Sequence, residues 1–210
     1  RVGDVRGGGA ESGRVWDVTE SDDITTIERI GVVGAGLMGS GIAEVCARAG
    51  RNVVVLEVSP EACERGRSRL VGSLDRGVRS GKLDEASRDA ALACLTFTTD
   101  FADFADRQLV VEAVVEDESL KTEIFRKLDA AVKDPAAILA SNTSSIPIMK
   151  LGIATQRPEQ VIGIHFFNPV PVLRLVDMAC LVAGDLTVAQ GPCFHVFDAG
   201  LALFEARSLP

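Results

Sequence analysis

The run Gly34-Ala35-Gly36-Leu37-Met38-Gly39 governs how the chain around it folds. A Gly-x-Gly-x-x-Gly run is a weak signal by itself, so its surroundings carry the reading. Just upstream, residues 29–33 are a short apolar run that reads as a buried strand. Just downstream, residues 37–49 read as a helix, with Gly50 as its C-terminal cap because glycine tolerates the left-handed conformation. Residues 52–56 make a second apolar strand, closed by Glu57, 18 residues beyond Gly39. Strand, glycine turn, helix and strand form one right-handed βαβ unit.

Within that unit each glycine has a physical task. Gly34 permits the tight turn, Gly36 lets a pyrophosphate approach the backbone, and Gly39 lets helix and strand pack closely. Free N–H groups at the start of the helix, around Leu37 and Met38, then face the phosphates, and the helix dipole adds to the attraction. The Glu57 carboxylate suits a ribose diol and repels a 2′-phosphate. No Arg or Lys follows it at 58 or 59, so NAD is expected over NADP. FAD is the other ligand such a turn admits. A tightly packed turn with Glu57 as a solvated strand end is the reading without a ligand.

Further along, the text keeps alternating. Ser59 and Pro60 mark a helix start, and Leu70, Leu74 and Val78 share one face of a helix that runs to about residue 79. A shorter helix follows from 84, then a strand at 95–98. Residues 109–115 read as a strand of Val, Leu and Ala, as expected where helices cover both faces. Helix 119–132, strand 137–140, helix 146–153 and strand 160–165 complete the series. The fold class expected is α/β, a Rossmann-type doubly wound, mostly parallel sheet. Residues 28–178 are expected as the NAD-binding domain and 1–27, rich in glycine and acids, as a disordered leader. After Met178 the periodicity decays, and 179–210 is expected as an irregular tail.

Composition bounds the partners. The chain has 210 residues, 47% hydrophobic and 25% charged, enough for a core, and a formal charge of -8. That balance argues against nucleic acid or an anionic membrane as partner. No run reaches the roughly 18 apolar residues of a membrane span, and no signal peptide is visible. The five cysteines (Cys46, Cys63, Cys94, Cys180, Cys193) form no Cys-x-x-Cys pair and no metal-like cluster with the two histidines. They read as scattered thiols in a reducing cytoplasm, with no metal expected.

Three segments ask for more than a cofactor fold. In Val111-Glu112-Ala113-Val114-Val115-Glu116, Glu116 leaves the strand at the end where open α/β sheets place ligands, and Lys121 is within reach of a cofactor from the next helix. Taken alone, both also read as surface charges. Ser141-Asn142-Thr143-Ser144-Ser145 follows a strand directly, and such a run also suits a helix cap. In His165-Phe166-Phe167-Asn168-Pro169-Val170-Pro171, a histidine at a strand end beside two aromatics suits a general base in a partly dry pocket. An isolated histidine there also reads as a hydrogen-bonded core residue. Asp177 is 12 residues on and can return across a hairpin to orient the imidazole.

Together with the Gly34–Gly39 turn extended through Ser40-Gly41-Ile42-Ala43, and Val110-Val111-Glu112-Ala113, these segments resemble the N-terminal domain of the 3-hydroxyacyl-CoA dehydrogenases, including the bacterial 3-hydroxybutyryl-CoA enzymes. The resemblance spans residues 28–178. It implies an oxidoreductase of fatty-acid β-oxidation that uses NAD to turn 3-hydroxyacyl-CoA into 3-oxoacyl-CoA. It implies His165 as catalytic base, Ser144 and Asn168 at the reacting oxygen, and Glu116 and Lys121 at the nicotinamide end. It also makes Ser73 a candidate CoA contact. The stretch 61–82 adds six basic residues, Arg79 and Lys82 among them, against three acids, an excess suited to the phosphates of a CoA tail or to a solvated helix face.

Two departures from the family matter. Its partner for the histidine is a glutamate where this chain has Asp177, a side chain shorter by one methylene. The family also continues into a helical domain that forms a homodimer and walls the acyl pocket, and no trace of it is read after Met178. A truncated, non-catalytic NAD-binding module of the same descent is therefore the alternative expectation. A β-hydroxyacid dehydrogenase with a catalytic lysine is disfavoured by the His-Phe-Phe-Asn-Pro text.

Overall fold

Val53 and Val55 pack into one hydrophobic cluster while Val54 and Leu56 pack into another. Successive side chains of a strand point to opposite faces, so an unbroken apolar run fits only a sheet covered on both sides. The computed structural model describes residues 25–172 together with the backbone of the strand segments 176–180 and 205–206. The expectations for residues 1–24, 173–175, 181–204 and 207–210 lie outside the described residues.

The elements in chain order are β1 (Thr25–Thr26), β2 (Arg29–Val33), α1 (Leu37–Arg48), β3 (Asn52–Leu56), α2 (Pro60–Arg79), α3 (Glu85–Ala93) and β4 (Leu95–Thr98). There follow β5 (Leu109–Glu112), α4 (Glu118–Ala131), β6 (Ile138–Ser141), α5 (Ile148–Gly152), β7 (Val161–Phe166), β8 (Val176–Cys180) and β9 (Glu205–Ala206). The main sheet has the order β4-β3-β2-β5-β6-β7-β8. Its first six strands are parallel, and β8 returns antiparallel to β7. β1 and β9 form a separate antiparallel pair.

The chain starts at the centre of this sheet with β2 and works outward first to one side, then to the other. That reversal opens a crevice at the carboxyl ends of β2 and β5, where such folds take their ligands. On one face Ile42, Ala43 and Cys46 of α1 and Leu70 and Leu74 of α2 pack on Ile30, Val32 and Val111. On the other, Phe125 and Leu128 of α4 pack with Phe104 on Val110 and Leu139. Phe125 and Leu128 are fully buried, and truncation of either to alanine would cost about 3 kcal/mol.

Local chemistry sets most boundaries. Ser59 caps α2, its hydroxyl accepting from Ala62 N at 3.2 Å, with Pro60 in the first turn as expected. Gly50 has φ +74 just after α1, the left-handed value its place requires. Three expectations change. The strand expected over 109–115 ends at Glu112, because the Glu112 carboxylate turns back to accept from Val114 N at 2.7 Å and the chain leaves the sheet. The helix expected over 146–153 shrinks to α5, which Pro147 opens. The domain also reaches past its expected limits: Ile27 is core, and β8 continues to Cys180.

Candidate active site

Gly34 has φ +91, and its N–H donates to Leu56 O at 2.8 Å, so the chain reverses immediately at the end of β2. A Cβ on Gly39 would fall 1.8 Å from Gly34 O, so only hydrogen fits where α1 crosses the turn. A Cβ on Gly36 would meet nothing within 4 Å. It would project into open space beside the first turn of α1, which contains no acidic residue to cancel its free N–H groups. Glu57 leans over the same turn, accepting from Ala35 N at 2.6 Å and from Val58 N at 3.1 Å. An open cradle of amide donors with a carboxylate at the next strand end fits a dinucleotide with a free ribose diol.

Two residues that sequence reasoning did not assign to this turn also shape it. Arg69 of α2 donates to Ala35 O at 2.5 Å, so the Ala35 residue is gripped by Glu57 at its N–H and by Arg69 at its carbonyl. A Cβ on Gly66 would come within 2.3 Å of Ala35 Cβ, which is why α2 can lie against the turn at all. The spacing of Gly66 and Arg69, one helical turn apart, was the only available signal.

A cavity of about 330 Å³ lies at the carboxyl ends of the strands and brings the two halves of the chain together. Met38 of the glycine turn shares its wall with Glu116, Ser144, His165 and Asn168; Val114, Asn142, Phe166 and Phe167 complete it. Leu37 opens α1 with 64% of its surface exposed and is not among these lining residues. A larger depression of about 560 Å³ lies between Arg29, Arg51, Asn52 and Arg107. Arg29 and Asn52 begin their strands, so this is the wrong end of a parallel sheet for its ligand.

His165 is half-buried near the end of β7, its ring tilted 59° to Phe167 with centroids 4.8 Å apart. The antiparallel register sets Asp177 of β8 directly opposite His165. The Asp177 side chain lies outside what the structure describes. Ser144 and Asn168 are exposed at the cavity rim.

Glu116 organises the Ser141–Ser145 loop. Its Oε1 accepts from the Thr143 hydroxyl, from Ser145 Oγ at 3.0 Å, and from the backbone N–H of Ser144 at 3.2 Å and Ser145 at 3.3 Å. Burial disfavours its charge, but the Thr143 and Ser145 hydrogen bonds and the Lys121 charge outweigh that and hold its pKa at about 2. Lys121, expected to reach the cofactor, has no exposed surface and stands behind Glu116 instead. Its Nζ donates to Glu112 Oε2 at 2.8 Å and Oε1 at 2.9 Å, and lies 3.4 Å from Glu116 Oε2. Glu112, equally buried, is the residue sequence reasoning passed over. The signal was present: a carboxylate inside a strand of valines must find a cation.

The residues singled out for a CoA tail sit apart from this cavity. Ser73 lies mid-α2 beside buried Glu44 of α1, whose carboxyl is pushed up by burial against the opposing pull of Ser73, Arg48 and Arg76. Arg79 ends α2 and Lys82 follows in the next turn, both exposed. Of the other bases, Arg67 stacks over Phe97, 4.7 Å from its centroid, and Arg69 holds the glycine turn. No helix of the described residues is long and apolar enough to cross a membrane. Among those residues, no group of three or more His, Cys, Asp or Glu could hold a metal ion.

Residues 29–190 match the family model described as 3-hydroxyacyl-CoA dehydrogenase, NAD binding domain. The chain is 60% identical over 163 residues to a 3-hydroxybutyryl-CoA dehydrogenase of Mycobacterium tuberculosis, covering 78% of this chain and 57% of that protein. It is 43% identical over 152 residues to a probable 3-hydroxybutyryl-CoA dehydrogenase of Bacillus subtilis, covering 72% and 53%. The crystal structure of M. tuberculosis FadB2 superposes with a TM-score of 0.73 at 62% identity, over 73% of this chain and 54% of that one. That of the (S)-3-hydroxybutyryl-CoA dehydrogenase PaaH1 from Ralstonia eutropha gives 0.71 at 44% identity, with the same coverage. The chain thus spans a little over half the length of these relatives.

Proposed function

The chain belongs to the 3-hydroxyacyl-CoA dehydrogenase family through its NAD-binding domain, and from that premise we propose that it serves the NAD-dependent oxidation of a 3-hydroxyacyl-CoA, 3-hydroxybutyryl-CoA being the expected substrate. The observation that carries this reading is the single cavity in which Met38 of the dinucleotide turn meets His165, Ser144 and Asn168. A base and two hydrogen-bonding groups next to a cofactor cradle suit the removal of a hydroxyl proton beside a site of hydride transfer.

In this reading His165 takes the proton of the substrate 3-hydroxyl, and the Ser144 hydroxyl and Asn168 amide donate to the oxygen as it becomes a carbonyl. When bound, NAD would supply the acceptor for the hydride that leaves C3. Gly36 and the start of α1 would hold its pyrophosphate and Glu57 its ribose, with Met38 and Glu116 of the cavity wall available to its nicotinamide end. Asp177, opposite His165 in register, orients the imidazole and stabilises its charged form. Phe166 and Phe167 keep that side of the pocket apolar. Arg79 at the end of α2 and Lys82 just after it supply positive charge for the CoA phosphates, and Ser73 of α2 is a third candidate contact.

The test is NADH-dependent reduction of acetoacetyl-CoA by the full chain, followed in parallel with NADH binding. Turnover is expected, and His165→Ala should lower it by about a thousandfold while the NADH dissociation constant stays within twofold. NADH binding without turnover in the wild type would instead identify a non-catalytic NAD-binding module.

A further inference from the structure

Glu112 and Lys121 form an ion pair with no exposed surface on either side chain. Removing two charges from water is costly, and well-packed apolar side chains of similar volume often replace such pairs without loss of stability. The partners of this pair therefore say more about its role than its strength does. Glu112 Oε1 accepts from Val114 N at 2.7 Å, and Oε2 accepts from Ser141 Oγ at 2.6 Å. Lys121 Nζ also donates to Asn142 O at 3.3 Å and faces Glu116 Oε2 at 3.4 Å. Asn142 N donates in turn to Glu112 O at 2.7 Å, and Asn142 Oδ1 accepts from Phe166 N at 3.0 Å, one residue past His165.

Val114, Glu116, Asn142 and Phe166 all line the cavity. The pair touches three of them directly and the fourth through Asn142. We infer that Glu112 and Lys121 are positioning residues: one buried pair locks the ends of β5, β6 and β7 and the start of α4 into a single register, and thereby sets Glu116, Ser144 and His165 relative to one another. Site groups must be held to about half an ångström, and loop residues such as Glu116 and Ser144 have no regular secondary structure of their own to do so. The inference deepens the functional reading above and rests on it for the role of the cavity, but its geometry stands on the ion pair alone.

The experiment uses the full chain with the double substitution Glu112→Gln and Lys121→Met, which leaves net charge unchanged. Two readouts are taken that a merely structural role would not move: the NADH dissociation constant and the titration of the His165 imidazole protons by NMR, assigned with His165→Ala. Expected is a cooperatively folded protein with NADH binding weakened about tenfold and the His165 midpoint displaced from wild type. A folded double variant in which neither readout moves overturns the inference. Where the double variant does not fold, Ser141→Ala removes only the hydroxyl donated to Glu112; a threefold loss of NADH binding or a displaced His165 midpoint supports the inference, and no change in either overturns it. NADH binding by the wild type without acetoacetyl-CoA turnover would sink the functional reading alone. The His165 titration decides the inference even if NADH does not bind.

Discussion

The glycine turn and the His165 side of the cavity share one crevice but are built in opposite ways. The turn is a local object: Gly34, Gly36 and Gly39 lie within six residues, and its donors are backbone N–H groups that any helix start provides. The cavity is a collective one. Glu116, Ser144 and His165 come from three different strand ends and are tied together by side chains, Glu112, Lys121 and Asn142 chief among them. A backbone site fails by steric clash, whereas a side-chain network fails by losing its alignment. The two halves should therefore respond to mutation in different ways.

The largest effect is expected on the turn. Gly39→Val would force a Cβ into Gly34 O, and we expect NADH binding to fall below detection with stability lowered by about 3 kcal/mol, measured by fluorescence titration and urea melts. Next comes the network. Glu116→Gln removes the charged acceptor of Ser144 N, Ser145 N and Ser145 Oγ, and should cut acetoacetyl-CoA turnover about a hundredfold while weakening NADH binding less. An equal loss in both would erase the distinction between the halves.

Acid should report on the same residue. The Glu116 pKa lies below its ordinary value, so the anchoring it provides is complete above about pH 4.5 and disappears as pH falls through about 2. Urea melts of the wild type and Glu116→Gln should differ equally at pH 5 and pH 7 and converge only towards pH 2. The smallest effect is expected from Arg69→Ala, which loses one part-buried hydrogen bond to Ala35 O from an otherwise exposed residue. A stability change of about 1 kcal/mol and a threefold rise in the NADH dissociation constant would place Arg69 as a brace of the turn.

The same contrast explains what the sequence made legible. The strands, the order of elements and the turn follow from short-range rules: apolar periodicity, caps such as Ser59 and Pro60, and glycine spacing. His165, Ser144, Asn168 and Glu116 were found as motif text, and the fold brings them to one cavity. Lys121 reads from sequence as an outward charge, because sequence shows the charge of a side chain and not the partner nine residues away that buries it. Glu112 is legible only as a carboxylate inside a strand of valines that must find a cation, without the identity of that cation. The strand reads as 109–115 because apolar residues continue through Val115, while the turn at Glu112 is made by a side-chain hydrogen bond that periodicity does not encode. Arg69 and Gly66 act on the turn from a different element, a contact set by how α2 docks.

The Gly34–Gly39 turn and Glu57 build a site for NAD, on which the catalytic role proposed for His165 depends. This is tested most directly by titrating the full chain with NADH and NADPH side by side. Saturable NADH binding is expected, at least about a hundredfold tighter than NADPH because Glu57 repels a 2′-phosphate. Equal affinity for the two, or no binding of either, would rule out an NAD site of this design.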